Sequence, residues 1–360
     1  MPEHLFPGVY IEEVSLGVHP IEGVSTSTVG FVAVSYRGPL LGPLTSFAEF
    51  LQLAGPHSSV NLALAIRGFF ENGGQCCFVA QVAPTDPLQA GLDALSAETI
   101  SILCCPDEHT VPNAATVMAA HCEQRKDRMC ILHSPQPAIP SSTHQVPVHS
   151  SYAAYYYPWL TVTTLDGVST ATIPPSGHVA GVYVRTDTQS GVWKAPAGVP
   201  LLGVTALSQA INEPESELLN SQGINVLRSF PAQGFLVWGA RTTSPDPDWR
   251  YVNVRRLLIF LEQSINKGLQ WAVFEPNGPA LWATVRSTVE NFLFNVWKSG
   301  ALQGQTPAEA IFVRCDQTTM TQSDLDTGRL ILLVGVAPVR PAEFLILRIT
   351  IQTKPVPESS

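Results

Sequence analysis

The sequence predicts a mixed α/β chain of two domains, with an extended strand at each end that lacks a partner nearby. Three observations carry this. Residues 100–104 are apolar, 113–124 have helical spacing and 129–133 are apolar again, the alternation of a parallel sheet. The stretch from Gly191 to Pro200 is turn-rich and marks a boundary between the halves. Finally, Val9, Tyr10 and Ile11 follow a Pro-Gly break, and residues 343–353 follow Pro338 and Pro341. In the latter, Leu345, Leu347, Ile349 and Ile351 share one face while Arg348, Thr350 and Gln352 occupy the other. Strands isolated in this way present unpaired N–H and C=O groups and are suited to pairing with another chain. That pattern favours a polymer subunit over a self-contained enzyme.

Between these ends, residues 29–34 read as a buried strand and 45–53 as a short helix capped by Thr45 or Ser46. A second helix over 60–71 stops at Asn72-Gly73-Gly74, and 78–82 is a strand. After the 100–133 alternation comes a loop rich in Pro, Ser and His over 134–151, then an aromatic strand over 155–162. Pro174-Pro175 open a helix that runs through Val179 to Arg185. The second half begins with strands at 225–229 and 235–240, an amphipathic helix over 252–266 and a strand at 271–274. A long helix over 280–299 places Leu281, Val285, Val289, Phe292, Leu293 and Val296 on one stripe, and Gly300 ends it. Residues 311–315 and 330–336 complete the strands.

With 360 residues the chain can bury a substantial core in two domains. It is 45% hydrophobic and only 14% charged, against about a quarter charged in ordinary soluble domains, so neighbours are expected to cover much of its surface. A net charge of −9 with scattered basic residues opposes nucleic-acid binding. Glu3, Glu12 and Glu13 stand where a secretory signal would be basic, and no apolar run approaches the ~18 residues of a membrane helix. The expectation is synthesis in the cytosol, without direct membrane insertion. Seven cysteines, two pairs of them adjacent, suit reduced buried thiols better than a disulfide framework.

No nucleotide-binding, zinc-protease or hydrolase signature is present. Cys104, Cys105, His121, Cys122, Cys130 and His133 are the best candidates for metal or thiol chemistry. The rival to a polymer subunit is accordingly a cytosolic α/β enzyme with a site near Cys104, Cys130 and His133. However, the spacing contains no Cys-x-x-Cys pair, and adjacent residues such as His121 and Cys122 point in different directions on a helix. A packed core is the better reading, and no cofactor is expected. The acidic residues Asp246, Asp248, Asp316 and Asp324 sit among turn and cap signals, which favours local backbone roles over acid–base catalysis.

One set of segments is more specific. Gly223-Ile224-Asn225-Val226-Leu227-Arg228, Val237-Trp238-Gly239-Ala240-Arg241-Thr242 and Asp248-Trp249-Arg250-Tyr251-Val252-Asn253-Val254-Arg255-Arg256 occur in that order. Trp271-Ala272-Val273-Phe274-Glu275-Pro276-Asn277 and Ala337-Pro338-Val339-Arg340-Pro341-Ala342-Glu343-Phe344 follow. Earlier come Pro7-Gly8-Val9-Tyr10-Ile11-Glu12-Glu13, Arg67-Gly68-Phe69-Phe70-Glu71-Asn72-Gly73-Gly74 and Gly191-Val192-Trp193-Lys194-Ala195-Pro196. Together they resemble the contractile tail sheath family of phage tails, R-type pyocins and extracellular phage-tail-like injection particles.

The resemblance implies a structural, non-enzymatic subunit that forms stacked homohexameric rings around an inner tube protein. Baseplate proteins, tail-terminator or cap proteins and paralogous sheath subunits are the further partners it implies. It also implies a two-domain sheath fold: an N-terminal arm at 1–22, an outer domain at 23–200, an inner tube-facing domain at 201–342 and a C-terminal arm at 343–360. Val9, Tyr10, Ile11, Leu345, Leu347, Ile349 and Ile351 would pair with neighbouring subunits, and residues 16–22 and 337–341 would hinge. Arg286, Glu290, Lys298, Asp316 and Asp324 are candidates to face the tube. Assembly would take place in the bacterial cytoplasm. The product would be an extracellular particle, for which the short chain argues, or a virion tail.

Overall fold

Six parallel strands, each buried for most of its length, organise the larger part of the molecule. The computed structural model describes residues 19–35, 38–54, 59–136 and 143–343. The described residues divide into two compact units, one comprising Ser27–Arg256 with 339–343, the other 19–26 with Leu257–Pro338.

The larger unit begins with β1 (Thr28–Val34), β2 (Leu41–Leu44), α1 (Phe47–Ala54), α2 (Val60–Glu71), β3 (Cys76–Val82) and α3 (Leu88–Ala94). It continues through β4 (Ile102–Cys104), α4 (Ala114–Arg125), β5 (Met129–His133), β6 (Ala153–Tyr157), β7 (Leu160–Thr163), β8 (Thr170–Ile173) and α5 (Ser176–Ser190). Then come β9 (Val199–Pro200), β10 (Val204–Leu207), α6 (Glu213–Ser221), β11 (Ile224–Phe230) and β12 (Gly234–Trp238). The nine-stranded sheet has the order β2-β3-β1-β4-β5-β6-β11-β12-β9. The strands from β3 to β11 pair in parallel, while β2 at one edge and β12 and β9 at the other are antiparallel. Every residue of β4, β5 and β6 is buried, which is why these segments read as continuous apolar runs rather than as alternation.

Helices α2 and α5 pack closely. A Cβ at Gly177 or Gly181 would run into the carbonyl groups of Ala65 and Phe69, so the two backbones approach only because glycine stands there. The expected aromatic strand over 155–162 is two strands. Pro158 supplies no N–H to a ladder, β6 ends before it, and β7 joins β8 and β10 in a separate antiparallel sheet.

The boundary expected at residue 200 does not separate two domains. β11 pairs with β6 through Ile224–Tyr155, Asn225–Tyr156 and Val226–Tyr157, so one sheet continues across that point. The units part instead within α7 (Val252–Gly268). In its first turns Arg256 meets Asp187 of α5 at 2.6 Å, with both side chains 3% exposed, and its guanidinium lies over Tyr183.

The smaller unit contains the rest of α7, then α8 (Pro279–Lys298), α9 (Pro307–Ala310), β13 (Ile311–Arg314), α10 (Gln322–Asp326) and β14 (Leu333–Val336). Trp282, Val285, Val289, Phe292, Leu293 and Val296 form the buried stripe of α8, and Trp282 packs with Cys315 and Met320. Residues 19–24 lie along α7, where Ser264 accepts the Val24 N–H at 3.0 Å and Ile21 crosses Gly268. The strand expected at 271–274 is absent: Gln270–Ala272 forms a single 3-10 turn. A four-residue apolar run carries no period by which strand and helical turn could be told apart.

Candidate assembly interface

The clearest site is an open strand edge. β13 and β14 form a two-stranded antiparallel ribbon, and among the described residues neither has a second strand neighbour. α8 packs against β13, which supports a ribbon that would be marginal alone. The register pairs Ile311 with Val336 and Val313 with Val334, and the Ala337 N–H reaches the Ala310 carbonyl at 3.0 Å. Because bonded and non-bonded pairs alternate in an antiparallel ladder, Phe312–Gly335 and Arg314–Leu333 bond inward. The N–H and C=O groups of Ile311 and Val313 on one edge, and of Val334 and Val336 on the other, therefore point away from the ribbon. Phe312 and Leu333 are each 46% exposed, an apolar lining beside those edges. The ribbon can accept an extended segment through main-chain hydrogen bonds.

A second feature lies between α7 and α8. Phe274 is fully exposed and adopts φ 76°, a left-handed conformation that is costly for a bulky side chain. Nearby, His19 stacks on Trp271 with ring centroids 4.3 Å apart, at one end of a cleft of about 850 Å³ that Leu281 and Phe292 also line. Within an apolar run as short as 271–274, nothing in the sequence marks Phe274 as a surface residue.

The residues expected to face the tube are dispersed among local roles. Arg286 and Glu290 are half-exposed and 3.8 Å apart, one turn from each other on α8, and Lys298 stands in that helix's last turn. Asp316 accepts the N–H and hydroxyl of Thr318. Asp324 closes a capping box with Thr321 at the start of α10 and receives Arg329 at 3.7 Å. These bonds hold both carboxyls below the usual carboxylate range. Val9, Tyr10, Ile11, Leu345, Leu347, Ile349 and Ile351 lie outside the described residues.

The cysteine and histidine candidates are core groups. Burial pushes the thiols of Cys104, Cys105 and Cys130 well above their ordinary values and holds His133 well below its own. A buried thiol of raised pKa is a poor nucleophile and a poor metal ligand, since both tasks need the thiolate. Asp107 and Glu108, just past β4, lie where a parallel sheet with this strand order commonly holds a ligand. Here Ser59 and Asn61 bond Asp107 at 2.9 and 3.2 Å. Glu108 accepts the His133 N–H at 2.9 Å, and Trp159 packs against both His109 and His133.

An α/β chain whose best-formed site is an open ribbon edge belongs among proteins that act through contacts with other chains. Its sequence matches two family profiles: the phage tail sheath protein central domain over residues 82–243 and the phage tail sheath C-terminal domain over residues 244–352. The chain belongs to the contractile tail sheath family. A subunit of the six-fold symmetrised anti-feeding prophage baseplate is 36% identical, with a TM-score of 0.79 over 98% of this chain and 100% of that one. A subunit of the contracted PVC sheath complex, an extracellular contractile injection system, is 30% identical, with a TM-score of 0.81 over 97% and 98%. The tail sheath protein of Vibrio phage KVP40 is 27% identical over 179 residues, 49% of this chain and 26% of that protein. The matched region thus spans about a quarter of that relative's length.

Proposed function

We propose that this chain is the structural subunit of a contractile sheath, polymerising as stacked hexameric rings around an inner tube and shortening to drive the tube through a target envelope. The open edges of the β13–β14 ribbon are the observation that carries the reading. Each edge offers outward main-chain groups to one extended strand, and the sequence supplies two such segments, around Val9 to Ile11 and around Leu345 to Ile351. Strands given by neighbouring copies would complete the sheet and link the rings into a mesh. Contraction would then proceed by burying further area between copies, at roughly 25 cal/mol per Å² of apolar surface, with no nucleotide consumed by this chain. The similarity to injection-particle subunits over nearly the whole chain favours an extracellular particle over a phage tail, in either case built on a baseplate. The inner, tube-facing role is assigned to the smaller unit and the outer one to the parallel-sheet unit.

Negative-stain microscopy of the purified chain tests the class: rings or striated tubes are expected. Deleting residues 1–14, or replacing Ile349 with Asp, is expected to leave a folded subunit with no tubes, since a carboxylate on a sheet face that must be buried is strongly unfavourable. Normal tubes from the deletion would end the strand-exchange reading.

A further inference from the structure

The described C-terminal residues form a clamp whose position differs from the hinge expected at 337–341. Ala337 and Pro338 are held within the smaller unit: Gln303 donates its N–H to the Ala337 carbonyl at 2.7 Å and its amide to the Pro338 carbonyl at 2.9 Å. The next five residues are held within the larger unit. Asn253 donates to the Val339 carbonyl at 3.2 Å, and Arg340 meets Asp248 at 3.0 Å. Arg241 grips Glu343 in a two-pronged pair, Nε to Oε1 at 2.9 Å and Nη2 to Oε2 at 2.5 Å, and the Tyr251 hydroxyl donates to Oε2 at 3.2 Å.

Arg241 is itself fixed. Its Nη1 donates to the Asn220 carbonyl at 2.8 Å, and its N–H and C=O bond the Asn225 side chain, each at 2.7 Å. Asn225 belongs to β11, the last parallel strand of the large sheet, paired with β6 on one side and with antiparallel β12 on the other. The ion pair is largely shielded, with the side chains of Arg241 and Glu343 11% and 17% exposed.

We propose that Glu343 is the anchor of the C-terminal arm, so that tension on residues 344–360 is delivered through Arg241 and Tyr251 to the parallel sheet. A paired guanidinium and carboxylate resist rotation as well as extension, which suits a fixed exit point better than a single contact would. The residues on both sides of Pro338 are hydrogen-bonded, so the stretch expected to hinge at 337–341 is itself held.

This inference rests on the arm-exchange reading, and the experiment separates the two. Chains ending at Glu343, chains with Glu343→Gln and chains with Tyr251→Phe are compared in two measurements: the urea midpoint for unfolding the free subunit, and the midpoint for dissolving assembled sheaths. Loss of sheaths from the chain ending at Glu343 supports arm exchange, and normal sheaths from it overturn both ideas. If arm exchange stands, Glu343→Gln is expected to lower the sheath midpoint by more than it lowers the subunit midpoint, because the pair is also present in the free subunit, with Tyr251→Phe shifting the sheath midpoint less in the same direction. Unchanged sheath midpoints, or equal shifts in both measurements, overturn the anchor alone.

Discussion

Proline at Val313 is expected to leave the subunit folded and to abolish sheath formation. Val313 is a non-bonded partner of Val334 within the ribbon, so its N–H takes no part in holding β13 to β14. Proline removes that outward donor and places its ring in the path of an incoming strand, while the inward bonds of Phe312 and Arg314 persist. Phe312→Pro is the internal comparison. It breaks the ribbon itself and should also lower the subunit's melting temperature. Circular dichroism melting of the free subunit, read beside microscopy of assemblies, separates the two variants. Tubes formed by Val313→Pro in normal yield would show that this edge does not receive a strand.

The second large effect is a stability maximum near pH 6.5. Glu108 is 5% exposed and has one carboxylate oxygen without a hydrogen-bond partner, and burial raises its pKa from 4.5 to about 8. The folded state therefore holds a proton that the unfolded chain has released, and stability falls as pH rises towards 8. Between pH 6.5 and 8 that loss amounts to about 2 kcal/mol. The buried histidines act in the opposite sense. Burial lowers His133, and His178 falls to about 3, so the unfolded chain binds protons that the fold refuses and stability drops as pH falls below 6.5. Glu108→Gln mimics the protonated acid and removes only the alkaline limb. Its melting temperature should stay level from pH 6.5 to 8, below the range in which the unfolded chain's thiols ionise, while the parent loses roughly 5 °C. Equal alkaline losses in the two proteins would place the titrating group elsewhere.

Periodic segments made much of this fold legible in advance. α7 and α8 carry long 3.6-residue stripes, and β4 and β5 flank a helix at the spacing of a parallel sheet. What escaped was what depends on distant partners. The continuation of the sheet from β6 to β11 is set by pairing across some 70 residues, and no local turn signal at 191–200 could reveal it. The separate β7-β8-β10 sheet is hidden for the same reason. α6 was legible but missed: Asn212, Pro214 and Glu215 form a capping signature that the structure realises as a reciprocal box. At the site, the sequence showed strands in search of a partner without showing which edges would receive them. The grip of Arg241 on Glu343 spans 102 positions, and neither residue stands out by type or spacing.

The seven thiols have a consequence for the durability of an array. All are free, six are buried and only Cys76 is half-buried. In a helical polymer any reactive surface group recurs on every copy, so a single accessible thiol would multiply into a lattice of potential covalent bridges. Bridges between adjoining copies would lock the array in whichever length it had when oxidised. Enclosing six of the seven sulfurs inside each subunit leaves Cys76 as the one thiol through which neighbouring copies of such an array could be bridged.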